Sequence, residues 1–169
     1  RCLGGRQRFF EAARRGIGVR LYEMRPVTSS PAHTSDDFAE LVCSNSLRSA
    51  QLTNAVGLLK EEMRRCGSLV MQAADASAVP AGSALAVDRV AFARHVTQAI
   101  SSHPNIEVRR ERVAKVPDDP QVVLATGPLT DPELAGELRA LVGEESLYFY
   151  DAISPIVYAD SIDHDIAFR

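Results

Sequence analysis

Apolar residues recur every three or four positions among charged ones in several stretches of this chain, the spacing of an amphipathic helix. On the stretch from Val56 to Arg65, Val56, Leu58, Leu59 and Met63 form an apolar stripe that we expect to lie in the core. Asn54 is placed to cap the start of that helix. The predicted helices span residues 6–15, 56–65, 68–78, 89–102 and 133–142.

Strand patterns lie between these helices. Gln121 to Ala125 is a continuous apolar run of the kind typical of a buried parallel strand. The predicted strands span residues 17–24, 84–88, 106–109, 112–116, 121–125, 147–150 and 155–158. Alternation of helices and strands favours an α/β fold, an open sheet with helices on both faces.

Composition narrows the class of protein. The chain has 169 residues, 46% of them hydrophobic and 24% charged, which fits one globular domain. No run approaches the roughly 20 apolar residues of a membrane helix, so we expect a soluble protein. Three cysteines are too few for a disulfide framework, which favours a reducing compartment and a cytoplasmic location. The net charge of −3 excludes a uniformly basic nucleic-acid module, so a nucleic-acid partner would use local patches.

Two further observations concern the ends of the chain and metals. The chain starts at Arg1 without a methionine and stops at Arg169 without a recognisable terminating signal, so we expect a piece truncated at both ends. His33 has no other His or Cys at a zinc-ligand spacing, so no metal site is predicted.

The stretch that carries candidate chemistry runs from Ala39 to Arg48 and places Cys43 in a polar loop. Cys43 is either a small buried hydrophobe or a reactive thiol, and a following helix start and Arg48 would both favour the thiolate. Glu23 ends the strand 17–24, where an acid binds the adenosine ribose in a dinucleotide fold or is simply a solvated strand end. The segment from Ala125 to Gly127 offers small residues and backbone N–H groups to a flat ligand.

Several motifs in a fixed order then identify a family. They are Leu21-Tyr-Glu-Met-Arg-Pro26, Phe38-Ala-Glu-Leu-Val-Cys-Ser-Asn-Ser-Leu-Arg48, Thr53-Asn-Ala-Val-Gly-Leu-Leu-Lys-Glu-Glu-Met-Arg64, Ala84-Leu-Ala-Val-Asp-Arg89, Ala125-Thr-Gly-Pro-Leu129 and Leu147-Tyr-Phe-Tyr-Asp151. From about Ala13 onward the chain closely resembles the N-terminal part of the bacterial folate- and FAD-dependent tRNA (uracil-5-)-methyltransferases, the TrmFO/Gid family.

The resemblance implies a glutathione-reductase-type, Rossmann-like FAD-binding domain, of which residues 1–169 would be a part lacking the first strand and the C-terminal portion. Such enzymes take a methylene group from methylenetetrahydrofolate, reduce it through the flavin with NAD(P)H, and methylate C5 of a uridine in the tRNA T-loop. The catalytic position implied is Cys43. The cofactor-binding positions implied are Gly4, Gly5, Glu23, Arg25, Ser44, Asn45, Ser46, Leu47, Arg48, Ala125, Thr126 and Gly127.

The chain departs from the family pattern at its start. In the glycine fingerprint the third glycine falls on Gly5, whereas Cys2 occupies the second position, at which a side chain should obstruct the pyrophosphate. Two alternatives remain open. One is the related wobble-uridine enzyme family (GidA/MnmG), whose flavin loop reads Cys-Asn-Pro where this chain has Cys43-Ser-Asn. The other is a non-catalytic flavoprotein fragment.

Overall fold

The computed structural model of the chain describes residues 3–30, 32–119, 121–127 and 129–143. Helices and strands alternate through most of this part, which confirms the α/β class. In chain order the elements are α1 (Leu3–Arg14), β1 (Val19–Tyr22), β2 (Ser46–Ser49), α2 (Ala55–Arg65), α3 (Leu69–Ala76), β3 (Ala78–Val79), β4 (Ala84–Val87), α4 (Arg89–Ser101), β5 (Ile106–Arg109) and α5 (Pro132–Val142).

Side-chain caps explain where four of the helices begin. Asn54 accepts a hydrogen bond from the Val56 N–H at the start of α2, and Asp88 accepts one from the Ala91 N–H at the start of α4. Ser68 and Asp131 cap α3 and α5 in the same way. Each cap satisfies a backbone donor that has no acceptor within the helix, so the polar residue fixes the first turn.

The described strands form two separate sheets. β1 and β5 pair in parallel, in register from Val19 opposite Ile106 to Tyr22 opposite Arg109. The second sheet is antiparallel with the order β2-β4-β3. Its β2–β4 ladder is irregular between Ser46 and Ser49, and within this irregularity Arg48 adopts a φ of 68°. This left-handed conformation is strained for a residue other than glycine.

Helices α3 and α4 form the centre of the core. Leu69, Met71, Phe92, Val96 and Ile100 are all at least 98% buried. Phe10 and Ala13 of α1 pack on the same cluster, together with Leu85 and Val87 of β4. The loop residues Phe38 and Ala39 also belong to it, so the segment that precedes Cys43 is anchored in the core.

Helix α2 is placed as expected and Met63 of its predicted apolar stripe packs against the core, but the prediction is wrong for the two leucines of the stripe. Leu58 and Leu59 are 49% and 55% exposed, whereas Gly57 and Lys60 are the buried residues of the helix. Because Gly57 has no Cβ, α2 can lie close to the backbone of Gln51. Lys60 then turns inward, and its Nζ donates to the Ser49 carbonyl over 2.8 Å and to the Val56 carbonyl over 3.4 Å.

Two predicted strands are wrong and two others were missed. Residues 121–125 form no strand, and Val122, Val123 and Leu124 are 36%, 64% and 40% exposed. In the described part of the chain β1 and β5 pair with each other alone, so this run has no strand to take up its hydrogen bonds. Residues 112–116 also form no strand, whereas Ser46–Ser49 and Ala78–Val79 do. The strands predicted at 147–150 and 155–158 lie outside the described residues.

No helix in the described ranges combines the length and the apolar character that a membrane crossing requires. Among the same residues, no group of three or more His, Cys, Asp or Glu side chains is arranged to hold a metal ion.

Candidate cofactor and catalytic site

Cys43 is exposed and lies in a short loop, here called the Cys43 arch, whose two ends are held at Glu40 and at Asn45. On the C-terminal side, Asn45 and Val87 of β4 bind each other. The Val87 N–H donates to the Asn45 carbonyl over 3.0 Å, and the Asn45 Nδ2 donates to the Val87 carbonyl over 3.1 Å. Cys43 is followed by β2 and not by a helix, because α2 begins only at Ala55. The helix start that the sequence suggested directly after Cys43 is therefore not present.

Glu40 forms the anchor on the N-terminal side of the arch. Its Oε1 accepts hydrogen bonds from the backbone N–H and the hydroxyl of Thr34, over 2.9 and 2.7 Å. Its Oε2 accepts from the N–H and hydroxyl of Ser35, over 3.1 and 3.0 Å. Next to it, Ala39 is buried with a φ of 61°. The backbone just before Cys43 is therefore held in one unusual conformation.

These bonds also set the protonation of Glu40. Burial raises the pKa of the carboxyl, but the hydrogen bonds from Thr34 and Ser35 together outweigh it and leave the pKa below its ordinary value. Glu40 therefore stays ionised and keeps its acceptor capacity at neutral pH.

Arg25 connects Glu40 with Glu23. The Arg25 side chain is only 2% exposed, and its Nη1 donates to Glu40 Oε2 over 3.2 Å and to the Ser35 carbonyl over 3.1 Å. Its Nε and Nη2 donate to the two carboxylate oxygens of Glu23, each over 3.1 Å. A buried guanidinium with two carboxylates holds both in fixed orientations.

Arg110 fixes the same loop from the other side. Its Nη1 donates to the carbonyls of Arg25 and Asp36, over 3.1 and 2.9 Å. The guanidinium carbon lies 4.3 Å from the centre of the Phe38 ring, within cation–π distance. The Phe38 N–H donates in turn to Thr97 Oγ1 of α4 over 2.8 Å. The loop from Arg25 to Phe38 is thus fastened to β5 and to α4.

The rest of the predicted flavin loop is ordered by its own side chains. Ser44 Oγ accepts from the Ser46 N–H over 3.1 Å, and Ser46 Oγ accepts from the Arg48 N–H over 3.2 Å. Leu47 packs against the core, whereas the Arg48 side chain is exposed.

The other two groups of predicted cofactor residues lie on different elements. Ala125 and Thr126 are exposed. Thr130 uses its only hydroxyl hydrogen on the Gly127 carbonyl over 2.6 Å, so the Thr126 hydroxyl is the donor in its own 2.6 Å contact with Thr130. Gly4 and Gly5 lie in the first turn of α1, where backbone N–H groups have no acceptor within the helix.

The structure joins two of the predicted positions, Glu23 and Arg25, in one network with Glu40, which stands three residues before Cys43 in the chain. Sequence reasoning missed Glu40 and Arg110, which complete that network. Glu40 stands within the Phe38–Arg48 motif, which was a usable signal. Arg110 belongs to a basic run, Arg109–Arg112, whose charges suggest only a solvated face.

Comparison with known proteins shows what the chain as a whole is similar to. Residues 4–169 match the family model described as glucose inhibited division protein A. The chain is 60% identical over 161 residues to the methylenetetrahydrofolate–tRNA-(uracil-5-)-methyltransferase TrmFO of Anoxybacillus flavithermus, covering 95% of this chain and 37% of that protein. The proteins of the same name from Desulforudis audaxviator and Brevibacillus brevis are 59% and 57% identical, over 99% and 98% of this chain and 38% of each relative.

These matches confirm the resemblance to TrmFO seen in the motifs, and the chain spans a little over a third of the length of the curated relatives it matches. The family model covers nearly all of the chain. The chain belongs to the glucose inhibited division protein A family.

Proposed function

We propose that residues 1–169 form part of the FAD-binding domain of a methylenetetrahydrofolate- and FAD-dependent tRNA uracil-C5 methyltransferase. Its substrate is a uridine of the tRNA T-loop, its reductant is NAD(P)H, and it works in the cytoplasm. The names of the relatives support the methyl donor, the tRNA and the C5 position. The exposed thiol of Cys43, fixed between Glu40 and Asn45, is the single structural observation that carries the proposal.

The residues at one end of the site fit the adenosine half of FAD. Gly4 and Gly5 in the first turn of α1 bring backbone N–H groups to the pyrophosphate, which helix N-termini bind readily. Glu23 follows the carboxyl end of β1, where an acid accepts hydrogen bonds from ribose hydroxyls. Arg25 holds the Glu23 carboxylate in a fixed orientation for that purpose.

The other two groups of residues are assigned to the flavin half. Ser44, Asn45, Ser46, Leu47 and Arg48 would hold it, and Ala125, Thr126 and Gly127 would supply small residues for close contact. Bound FAD supplies the hydride chemistry that converts the transferred methylene group into a methyl group.

Cys43 activates the uracil ring. Uracil C5 is a poor nucleophile until a nucleophile adds at C6. When the Cys43 Sγ bonds to C6, the C5–C6 π electrons move onto the ring carbonyl as an enolate, whose C5 then attacks the one-carbon unit. Loss of the C5 proton expels tetrahydrofolate as its nitrogen–methylene bond breaks. A hydride then adds to the methylene carbon, and cleavage of the Sγ–C6 bond restores the ring and releases the thiolate. Alternatively, Cys43 is the base that removes the C5 proton. Both roles require an accessible thiol on a rigid segment.

A second candidate function follows from the name of the family model, which is that of the GidA proteins. In this alternative the same flavin and folate chemistry modifies the wobble uridine in the anticodon arm. The two candidates differ in the RNA arm that is modified, so substrate choice separates them.

Cofactor binding is tested first. The purified protein is incubated with FAD and desalted, and retained flavin is measured by visible absorption. We expect Glu23→Gln to weaken FAD binding about tenfold or more, because a charge-assisted hydrogen bond to the ribose is lost. Glu107→Gln is the matched control, since Glu107 lies on the other strand of the parallel pair and binds Arg20 at the surface. Protein that retains no flavin overturns the proposal.

The chain by itself should be inactive, since it spans a little over a third of the length of its relatives, so catalysis is tested in a chain completed to their length, with FAD, methylenetetrahydrofolate and NADPH. A T-loop minihelix and an anticodon-arm minihelix are supplied in parallel, and the modified nucleosides are identified by mass spectrometry. We expect 5-methyluridine in the T-loop RNA only, its loss in Cys43→Ala, and its retention in Cys66→Ala. Product in the anticodon arm supports the second candidate. Retained flavin without product in either arm identifies a non-catalytic flavoprotein fragment.

A further inference from the structure

We propose that Arg25 is a positioning residue that couples the ribose end of the site to the Cys43 arch, and that it does not itself contact the cofactor. This inference rests on the proposed function, because it takes Glu23 as the ribose-binding acid. Glu23, Arg25 and Glu40 are linked by hydrogen bonds. Binding of the ribose to Glu23 therefore affects the segment that holds the Cys43 thiol.

The first step is the saturation of Arg25 by protein groups. Its guanidinium is 2% exposed and directs hydrogen bonds from Nε, Nη1 and Nη2 to four protein oxygens, two of Glu23, one of Glu40 and the Ser35 carbonyl. A buried side chain in this state has little surface to offer a ligand. The prediction that Arg25 binds the cofactor is therefore replaced by an indirect role.

The second step is the rigidity of the guanidinium. Its donors lie in one plane with fixed directions, so Glu23 and Glu40 cannot reorient independently while both remain bound to it. The Glu23 and Glu40 side chains are 14% and 15% exposed, which leaves little water to compensate a broken bond. A change in the position of one carboxylate is therefore passed to the other.

The third step leads from Glu40 to Cys43. Glu40 is bonded to Thr34 and Ser35 and is followed by Leu41, which packs against the core. Beyond the arch, Asn45 is fixed on Val87. The freedom of Cys43 therefore depends on how firmly Glu40 is held. Ribose hydroxyls bound to Glu23 fix that carboxylate, and through Arg25 they restrict Glu40 and the arch.

The test measures the reactivity of Cys43 with and without ADP, which carries adenosine and pyrophosphate but no flavin ring to cover the thiol. Cys2→Ser and Cys66→Ser leave Cys43 as the single cysteine of the chain. We expect saturating ADP to slow alkylation of Cys43 by iodoacetamide about fivefold or more, the lower end of typical coupling between sites. Arg25→Met should abolish the effect of ADP while ADP still binds.

Two further variants separate coupling from mere support of the loop. Arg110→Met also removes contacts to the Arg25–Phe38 loop but touches neither carboxylate, so it should lower stability and keep the ADP effect. Glu40→Gln keeps the shape of the side chain but removes its negative charge. It should reduce the ADP effect even if Arg25→Met does not fold. ADP that binds without changing the alkylation rate overturns the coupling alone. ADP that does not bind overturns both the coupling and the cofactor assignment.

Discussion

Gly57 lies where α2 touches the backbone of the preceding turn. A Cβ at this position would lie 2.6 Å from the carbonyl carbon of Gln51 and closer still to its oxygen. Backbone atoms cannot move aside as the end of a flexible side chain can. The close approach of α2 to this turn therefore depends on the missing side chain.

We expect Gly57→Ala to lower the free energy of unfolding by about 1–3 kcal/mol, the usual cost of overpacking, despite the better helix propensity of alanine. Gly136→Ala in α5 is the control, because a Cβ there meets no atom within 4 Å. That change should stabilise the protein by about 0.5–1 kcal/mol. Urea unfolding of both variants measures the difference, and equal effects would contradict the described contact.

Glu40 provides a prediction about pH. Its folded-state pKa lies below the ordinary value of 4.5, so the stability it contributes is present above that value and is lost as the pH falls through the folded-state pKa. We expect Glu40→Gln to destabilise the protein near neutral pH, and the difference from the unchanged protein to shrink below about pH 4.5. Unfolding in urea at a series of pH values measures this.

Glu62→Gln, on an exposed position of α2, controls for the removal of one negative charge. A Glu40→Gln deficit that stays constant from about pH 7 to about pH 2.5 would show that the lowered pKa contributes nothing to stability.

At this scale the sequence indicated individual residues but not the contacts that they make. Glu23 and Cys43 were proposed from their place next to a strand and in a polar loop, and Glu23 is linked through Arg25 to Glu40, three residues before Cys43. Arg25 was assigned to the cofactor, but its buried guanidinium binds Glu40, fifteen positions along the chain. No local pattern encodes such a partnership, because it is created only when the loop folds back on itself.

At the scale of single elements, α2 shows why an amphipathic pattern fixes a helix but not its orientation. The pattern correctly placed the helix and its Asn54 cap. Its orientation was decided by Gly57, which allows the closest approach, and by Lys60, which reaches the Ser49 carbonyl. Burial, with Arg64 and Arg48 nearby, lowers the pKa of the Lys60 amine, so the inward position has an electrostatic cost.

Leu59 and Leu69 test this orientation directly, because they are the same residue on adjacent helices. Leu69 is 1% exposed, and Leu69→Ala should cost about 2–5 kcal/mol in unfolding free energy. Leu59 is 55% exposed, and Leu59→Ala should change it by no more than about 0.5 kcal/mol. Chemical denaturation of the two variants decides the matter. A large loss at Leu59 would mean that α2 buries its leucines after all.

The strands were harder to predict than the helices, for a physical reason. A helix satisfies its own backbone, so caps and periodicity within one segment were sufficient for α2, α4 and α5. A strand needs a neighbour, and the apolar run 121–125 has none in the part of the chain that the structure describes. Conversely, Ser46–Ser49 forms a strand despite its polar composition because β4 lies beside it.

At the scale of the whole molecule, Asn105 joins regions that are far apart in sequence. Its Nδ2 donates to the Ala13 carbonyl of α1 over 3.0 Å, and its own carbonyl accepts from the Val19 N–H over 2.8 Å. It therefore fastens the first helix and the first strand to the beginning of β5.

We expect Asn105→Ala to lower the free energy of unfolding by about 0.5–1.5 kcal/mol, the value of one ordinary hydrogen bond. The loss is not larger because the Gly16 N–H still donates to the Ala13 carbonyl. Gln98→Ala, at an exposed position of α4, should change stability by less than about 0.5 kcal/mol. Thermal and urea unfolding of both variants provide the comparison, and a neutral Asn105→Ala would exclude this link.

The parallel register of Val19 with Ile106 sets an order of assembly. Arg20 and Glu107 meet across 87 positions of sequence, whereas Asn45 and Val87 meet across 42. Closing the longer loop costs about 0.6 kcal/mol more in chain entropy, and non-local pairings of this kind form slowly. During synthesis the Cys43 arch can close on β4 before β5 has been made. The strand that leads to Glu23 pairs with β5 only later, so Glu23 takes its place after the arch has closed.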